Sequence, residues 1–141
     1  MAEVTHVIDA AIPAGMLGEM LALRHCGERI ISLGPPPGGG RVGKIESLHK
    51  PFGRENLTGR RLAARLPQKS IVHLWSSGGL EAGCSAARRI GGRVVLSLPH
   101  LPWGEALKLV PWEVGQFGHT LTVPTNRARD ELLVLGTDPR R

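Results

Sequence analysis

Short apolar runs alternate with segments of helical spacing along most of the chain. The first run, residues 4–9, is rich in β-branched side chains and is followed by a break at residues 13–15. Apolar residues at helical spacing then continue to residue 23, Gly27 ends the helix, and residues 29–33 form a second apolar run. This order predicts two parallel strands joined by a helix.

The centre of the chain repeats the same alternation after a break. Residues 35–40 contain only proline and glycine, which predicts a surface loop. A weak strand at 44–49 and a basic helix from about residue 57 to residue 66, ended by Pro67, follow. We then expect a strand at 70–75, a turn at 76–79, a helix through Ile90 and a strand at 94–98 that is buried on both faces.

The last predicted elements are a strand at 120–123 and a helix for which Thr125 is the N-cap and Leu135 the end. Alternating strands and helices predict an α/β fold: a doubly wound, mainly parallel, Rossmann-like sheet with helices on both faces. We expect residues 1–141 to form a single domain. Ligands of such sheets bind at the carboxyl ends of the strands, so the residues that follow each strand are the candidates for function.

Composition and charge narrow the list of partners. Apolar residues make up 41% of the chain and charged residues 21%, as in ordinary globular proteins, and the net charge of +6 favours phosphate-bearing partners. Arg61 and Arg65 lie one turn apart in the basic helix, which could contact an anionic membrane surface. Nucleic acid is an unlikely partner, because aromatic residues are only 4% of the chain and no nucleic-acid-binding motif accompanies the charge.

Further exclusions concern location and metals. No apolar run approaches the roughly 20 residues of a membrane span, and no signal-peptide pattern begins the chain, so we expect a cytoplasmic protein that could be peripheral at the membrane. Cys26 and Cys84 have no metal-binding spacing, and we expect no metal site.

A family resemblance comes from the end of the chain. Residues 123–140, VPTNRARDELLVLGTDPR, resemble a segment of glycosyltransferase family 4, and the segments at 6–15, 72–76 and 94–98 agree with the same register. The resemblance implies the N-terminal, acceptor-side half of a retaining GT-B enzyme that moves a sugar from a nucleotide-sugar donor to an alcohol. It further implies that the C-terminal donor-binding domain is missing, so that these residues alone would have weak activity or none.

The same resemblance implies partners. They are a sugar or lipid acceptor and either the missing donor domain or a partner chain, which could be a second copy in a homodimer. The nucleotide-sugar would be a substrate of the full enzyme, and no cofactor is expected. The alternative function is a stand-alone, non-catalytic, Rossmann-like binding or interaction module. An NAD-type enzyme is disfavoured because no G-x-G-x-x-G occurs.

Candidate site residues combine the resemblance with strand position. By resemblance, a histidine in the loop after the fifth strand lies near the reaction centre, which makes His100 the catalytic candidate. Ser76 and Ser77 bring hydroxyls to a strand end beside two glycines, which suits sugar or phosphate contacts. His73 is either a ligand contact or a packed strand histidine. The predicted substrate-binding residues are Ala14, Gly15, His73, Ser76, Ser77, Trp103 and Thr125.

Overall fold

The computed structural model describes residues 2–9, 12, 18, 22, 28–36, 45–51, 53–98, 120–123 and 125–140. The strands among them are β1 (Val4–Ile8), β2 (Arg29–Leu33), β3 (Glu46–Leu48), β4 (Ile71–Leu74), β5 (Arg93–Ser97) and β6 (Thr120–Thr122). The helices are α1 (Glu55–Ala63), α2 (Leu80–Ile90) and α3 (Asn126–Val134), and a 3-10 turn, Ser77–Gly79, leads into α2.

The six strands form one parallel sheet. Their order is β3-β2-β1-β4-β5-β6, and each neighbouring pair is parallel. The chain therefore builds outward from β1 to β3, returns to the centre at β4, and builds outward again on the other side. The fold-class prediction, a doubly wound parallel α/β sheet, is confirmed, and the strand order is that of Rossmann sheets.

Helices α1, α2 and α3 contribute to one hydrophobic core on one face of the sheet. Alternate residues of the central strands, such as Val7, Val72 and Val94, point into it. Leu62 of α1, Ile90 of α2 and Leu132 of α3 meet them there. Because each is nearly free of solvent contact, each contributes roughly 1.5–3 kcal/mol to folding.

Two helix ends have the capping residues that the sequence predicted. Gly91 adopts a left-handed backbone with φ of +65° and ends α2, where a side chain would be strained. Thr125 is extended, and its hydroxyl accepts a hydrogen bond of 3.1 Å from the Ala128 amide, which makes it the N-cap of α3 as predicted.

The basic helix differs from its predicted bounds. It begins at Glu55 and ends at Ala63, before Arg65, because the chain tightens there: the Arg65 amide bonds to the Leu62 carbonyl only three residues back. Arg65 instead donates to the Ser47 carbonyl, and its own carbonyl accepts from Arg29. The prediction that Arg61 and Arg65 lie one turn apart within the same helix is therefore wrong, while contact with an anionic membrane stays a prediction.

The second face of the sheet carries polar side chains. Among the described residues, Ile8, Ile12 and Ile30 form a small buried apolar cluster on this face. The same face also carries His6, His73, Ser97 and Thr122 of β1, β4, β5 and β6, together with Trp75, which follows β4. Parallel sheets usually bury apolar residues on both faces, so this polar face needs an explanation of its own.

None of the helices in the described ranges is long and apolar enough to cross a bilayer. The cytoplasmic and peripheral-membrane locations stay predictions.

Candidate functional site

Strands β1 and β4 mark the point where the sheet changes its direction of growth. In parallel sheets with this strand order, ligands bind beyond the carboxyl ends of the two strands where the order reverses. Asp9 directly follows β1, and Ser76 follows β4 by two residues. The Ser76 hydroxyl donates a hydrogen bond of 2.7 Å to Asp9 Oδ2 and so joins the two strand ends.

The turn after β4 allows this close approach. A Cβ atom at Gly78 would lie 2.5 Å from Asp9 Oδ2, so only glycine leaves room for the carboxylate. Lys50, which follows β3, donates from Nζ to the Gly78 carbonyl at 2.6 Å and holds the turn from its outer side. Three strand ends thus meet at what we call the switch-point site: Asp9, Lys50, Glu55, Ser76 and Gly78.

Glu55 links this site to a cavity of about 470 Å³. Its Oε1 lies 3.2 Å from Lys50 Nζ, and its side chain lines the cavity together with Gly53, Arg54, Asn56, Leu57 and Glu81. Among the described residues, no donor reaches the buried second oxygen, Glu55 Oε2. A buried carboxylate oxygen without a donor is costly, and a ligand that donates a hydrogen bond would remove the cost.

A histidine and tryptophan cluster lies on the second face, near the same end of the sheet. His6 is buried, and its Nε2 bonds to Glu28 Oε2 at 2.5 Å. The Trp75 indole donates to His6 Nδ1 at 3.0 Å. Because Nδ1 accepts this bond, the proton of His6 must sit on Nε2, facing Glu28. Both ring nitrogens of His6 are therefore engaged in hydrogen bonds.

His73 is the neighbour of His6 on β4. The two ring centroids are 5.0 Å apart, and the imidazole of His73 stacks on Trp75 at 4.6 Å with 28° between the planes. Its Nε2 lies 2.7 Å from Ser97 Oγ, which in turn lies 2.5 Å from Thr122 Oγ1. Burial, helped by His6 and opposed by Glu28, lowers the pKa of His73 to about 4, so the ring is neutral at pH 7.

The predicted site residues fall into three groups. Ser76 belongs to the switch-point site, and His73 to the polar face. The Thr125 hydroxyl caps α3. Ser77 lies in the 3-10 turn with its side chain outside the described residues, and four further candidates lie wholly outside them: Ala14, Gly15, His100 and Trp103. The binding and catalytic roles of all these residues stay predictions.

Sequence reasoning missed the partners of the residues it found. Asp9 had a usable signal, since it is an acidic side chain immediately after an apolar strand. Lys50, Glu28 and Ser97 had none, because nothing local distinguishes them from solvent-facing polar residues. Their neighbours come from distant parts of the chain.

No protein-family model matches the chain, and no characterised protein has a significantly similar sequence. Among solved structures, the chain is similar to the crystal structure of phenylacrylic acid decarboxylase from Aquifex aeolicus, with a TM-score of 0.49 and 14% identity over 98% of both chains. At this identity the similarity concerns the fold alone.

This match contradicts the glycosyltransferase prediction. The solved structure with which the chain aligns over 98% of both chains is named as a decarboxylase and not as a glycosyltransferase. The predicted acceptor-side transferase is wrong, and the alternative of a stand-alone non-catalytic module is not supported either.

The segment that carried the resemblance has a structural explanation. In α3, Arg127 pairs with Glu131 at 3.3 Å and Arg129 with Asp130 at 3.0 Å, all on the exposed surface. Leu132 packs into the core, and a glycine in left-handed backbone follows the helix. The motif is thus a capped surface helix with its ordinary end signals.

Proposed function

We propose that this chain binds a small hydroxyl-bearing molecule, such as a nucleoside, in the switch-point site. The observation that carries the proposal is the hydrogen bond between Ser76 and Asp9. It places a carboxylate and a hydroxyl together where sheets with this strand order bind their ligands.

The charges of the site favour a ligand that donates hydrogen bonds. The Asp9 and Glu55 carboxylates make the site acidic, while Lys50 is engaged by Glu55 and by the Gly78 carbonyl. A phosphate would meet these carboxylates at short range, whereas the net charge of +6 acts mainly on encounter. Each hydroxyl that donates to a carboxylate contributes about 1.5–3 kcal/mol of binding free energy, which suits a ribose or another polyol.

Calorimetric titration of the whole chain with adenosine, cytidine, guanosine and uridine tests the proposal. We expect at least one nucleoside to bind, and Asp9→Asn to weaken its affinity about tenfold or more, because a charge-assisted hydrogen bond is lost. Ser76→Ala removes the bond that orients Asp9 and should have a smaller effect in the same direction. Gly78→Ala displaces the carboxylate without altering its charge and should resemble Ser76→Ala.

Glu3→Gln is the matched control. Glu3 is an exposed acid just before the amino end of β1, whereas Asp9 follows its carboxyl end. Glu3→Gln therefore changes the net charge by the same amount but should leave the affinity for the nucleoside unchanged. The proposal is wrong if no nucleoside binds the wild-type chain, or if Asp9→Asn and Glu3→Gln bind it equally well.

A further inference from the structure

Ser97 ends β5 with a hydroxyl that has two close partners. Its Oγ lies 2.7 Å from His73 Nε2 and 2.5 Å from Thr122 Oγ1. Ser97 is half-buried and Thr122 is exposed, so solvent reaches this hydroxyl pair. A serine bonded to an imidazole and open to solvent has the arrangement of an activated nucleophile.

The imidazole beside Ser97 is held in a fixed orientation. His73 stacks on Trp75, and the Trp75 indole is in turn bonded to His6 Nδ1. His6 is buried and tied to Glu28. The ring that faces Ser97 is therefore positioned by a chain of contacts across the β1 and β4 strands, which is the role of the orienting group in serine nucleophile sites.

The protonation state of His73 suits a base. Burial and His6 lower its pKa to about 4, so the ring is neutral throughout the neutral range, and in the tautomer with its proton on Nδ1 the Nε2 atom accepts the Ser97 proton. Among the described residues, the other titratable neighbours of His73 are His6 and Glu28, and Glu28 raises the pKa of His73. A base of low pKa is weak, which limits the chemistry to acyl groups with good leaving groups.

We propose that Ser97 is a nucleophile toward activated acyl esters, with His73 as its general base. Ser97 Oγ forms a bond to the carbonyl carbon, and its proton passes to His73 Nε2. The bond from that carbon to the leaving alcohol then breaks, and the alcohol oxygen takes the proton from His73. Water reverses the same steps: it attacks the acyl-serine, its proton passes to His73 and then to Ser97 Oγ, and a carboxylic acid leaves.

This activity is separate from the nucleoside site, because neither Asp9 nor Ser76 takes part in it. A loss of nucleoside binding in Asp9→Asn should leave Ser97 reactivity unchanged, so the two proposals can fail independently.

Covalent labelling with phenylmethanesulfonyl fluoride tests the proposal. The serine oxygen displaces fluoride from sulfur, and intact-mass measurement with peptide mapping locates the adduct. We expect a single adduct on Ser97, formed at least about tenfold faster than on Ser47, an exposed serine whose hydroxyl donates to the Gly34 carbonyl. Ser97→Ala should abolish the label, and Ser47→Ala should leave its rate unchanged.

Two further measurements separate a base from a packing histidine. His73→Phe keeps an aromatic ring on Trp75 but has no nitrogen, and we expect labelling to slow by about 100-fold or more. In the wild-type chain, the labelling rate should be level at neutral pH and fall as the pH approaches about 4, following the protonation of His73.

Several outcomes would overturn the proposal. They are an adduct spread over many serines, no adduct on Ser97, and labelling of His73→Phe at the wild-type rate. If His73→Phe does not fold, the pH profile decides, because a rate that keeps rising with pH through the neutral range would show hydroxide-driven labelling without a histidine base.

Discussion

Two histidines on neighbouring strands share one polar surface but have different surroundings. His6 is buried, and both of its ring nitrogens are bonded, to Glu28 and to Trp75. His73 is only half-buried and faces the hydroxyl of Ser97. The His6 ring lies 5.0 Å from the His73 ring and, after burial, is the second cause of the lowered pKa of His73.

The low pKa of His73 predicts a specific loss of stability in mild acid. The pKa is about 4 in the folded chain against an ordinary value of 6.5, so between these values the unfolded chain binds a proton that the folded chain does not. The stability contributed by neutral His73 is present above about pH 6.5 and is lost as the pH falls toward 4. Urea unfolding at pH 7 and pH 5 measures it.

We expect His73→Gln to lose less stability than the wild-type chain between these two pH values, by about 1 kcal/mol after allowance for solvent screening. His49→Gln is the control, because His49 is exposed and should leave the wild-type pH dependence unchanged. Equal pH dependence in His73→Gln and the wild-type chain would show that His73 does not resist protonation.

Helices α1 and α2 cross at a point where only small side chains fit. Gly59 of α1 is buried there against Ala82 and Ser85 of α2. A Cβ atom at Gly59 would lie 2.6 Å from Ser85 Cβ and 2.9 Å from the Ala82 carbonyl. The backbone contact cannot be relieved by a side-chain rotation, so the spacing of the two helices depends on this glycine.

Gly59→Ala should therefore destabilise the protein. Overpacking at such a contact costs about 1–3 kcal/mol, which exceeds the gain of up to about 1 kcal/mol in helix propensity. The midpoint of urea unfolding measures the balance.

Gly18→Ala is the matched control, because Gly18 also has helical backbone but a Cβ atom there has no neighbour within 4 Å. Gly18→Ala should gain stability from the higher helix propensity of alanine, because the new Cβ atom contacts nothing. A Gly59→Ala protein as stable as Gly18→Ala would mean that the helices separate at little cost.

The whole molecule depends on a sheet in which the two halves of the chain meet at β1 and β4. Each of these strands pairs on both sides, whereas β3 and β6 are three-residue edge strands. The backbone hydrogen bonds with the highest free energy of opening should therefore lie in β1 and β4, whose carboxyl ends also form the switch-point site.

Hydrogen exchange followed by mass spectrometry tests this arrangement. We expect the amides of β1 and β4 to exchange slowest and with similar rates, because they open only on global unfolding, and those of β3 and β6 to exchange much faster. Slower exchange in β6 than in β1 would contradict the strand order.

The sequence predicted the elements well because their signals are local. Strand positions followed from apolar runs, and Thr125 and Gly91 marked helix ends, since capping depends on residues within one turn. Predicted ends shifted where a packing contact intervened, as at Arg65.

The same local signals could not identify the function. The segment at 123–140 suggested a glycosyltransferase, yet a capped, salt-bridged surface helix accounts for it. A helix-end pattern recurs wherever a helix must begin and stop, so it carries little information about chemistry.

By itself, the sequence determined the fold class and the succession of strands and helices along the chain, because apolar periodicity and capping act between near neighbours. Only the tertiary structure decided which polar groups meet: Ser76 bonds to an aspartate 67 positions away, and His73 to a serine 24 positions away. Those pairings depend on which strands become adjacent in the sheet, and adjacency is fixed by how strands and helices that are distant in the sequence pack together.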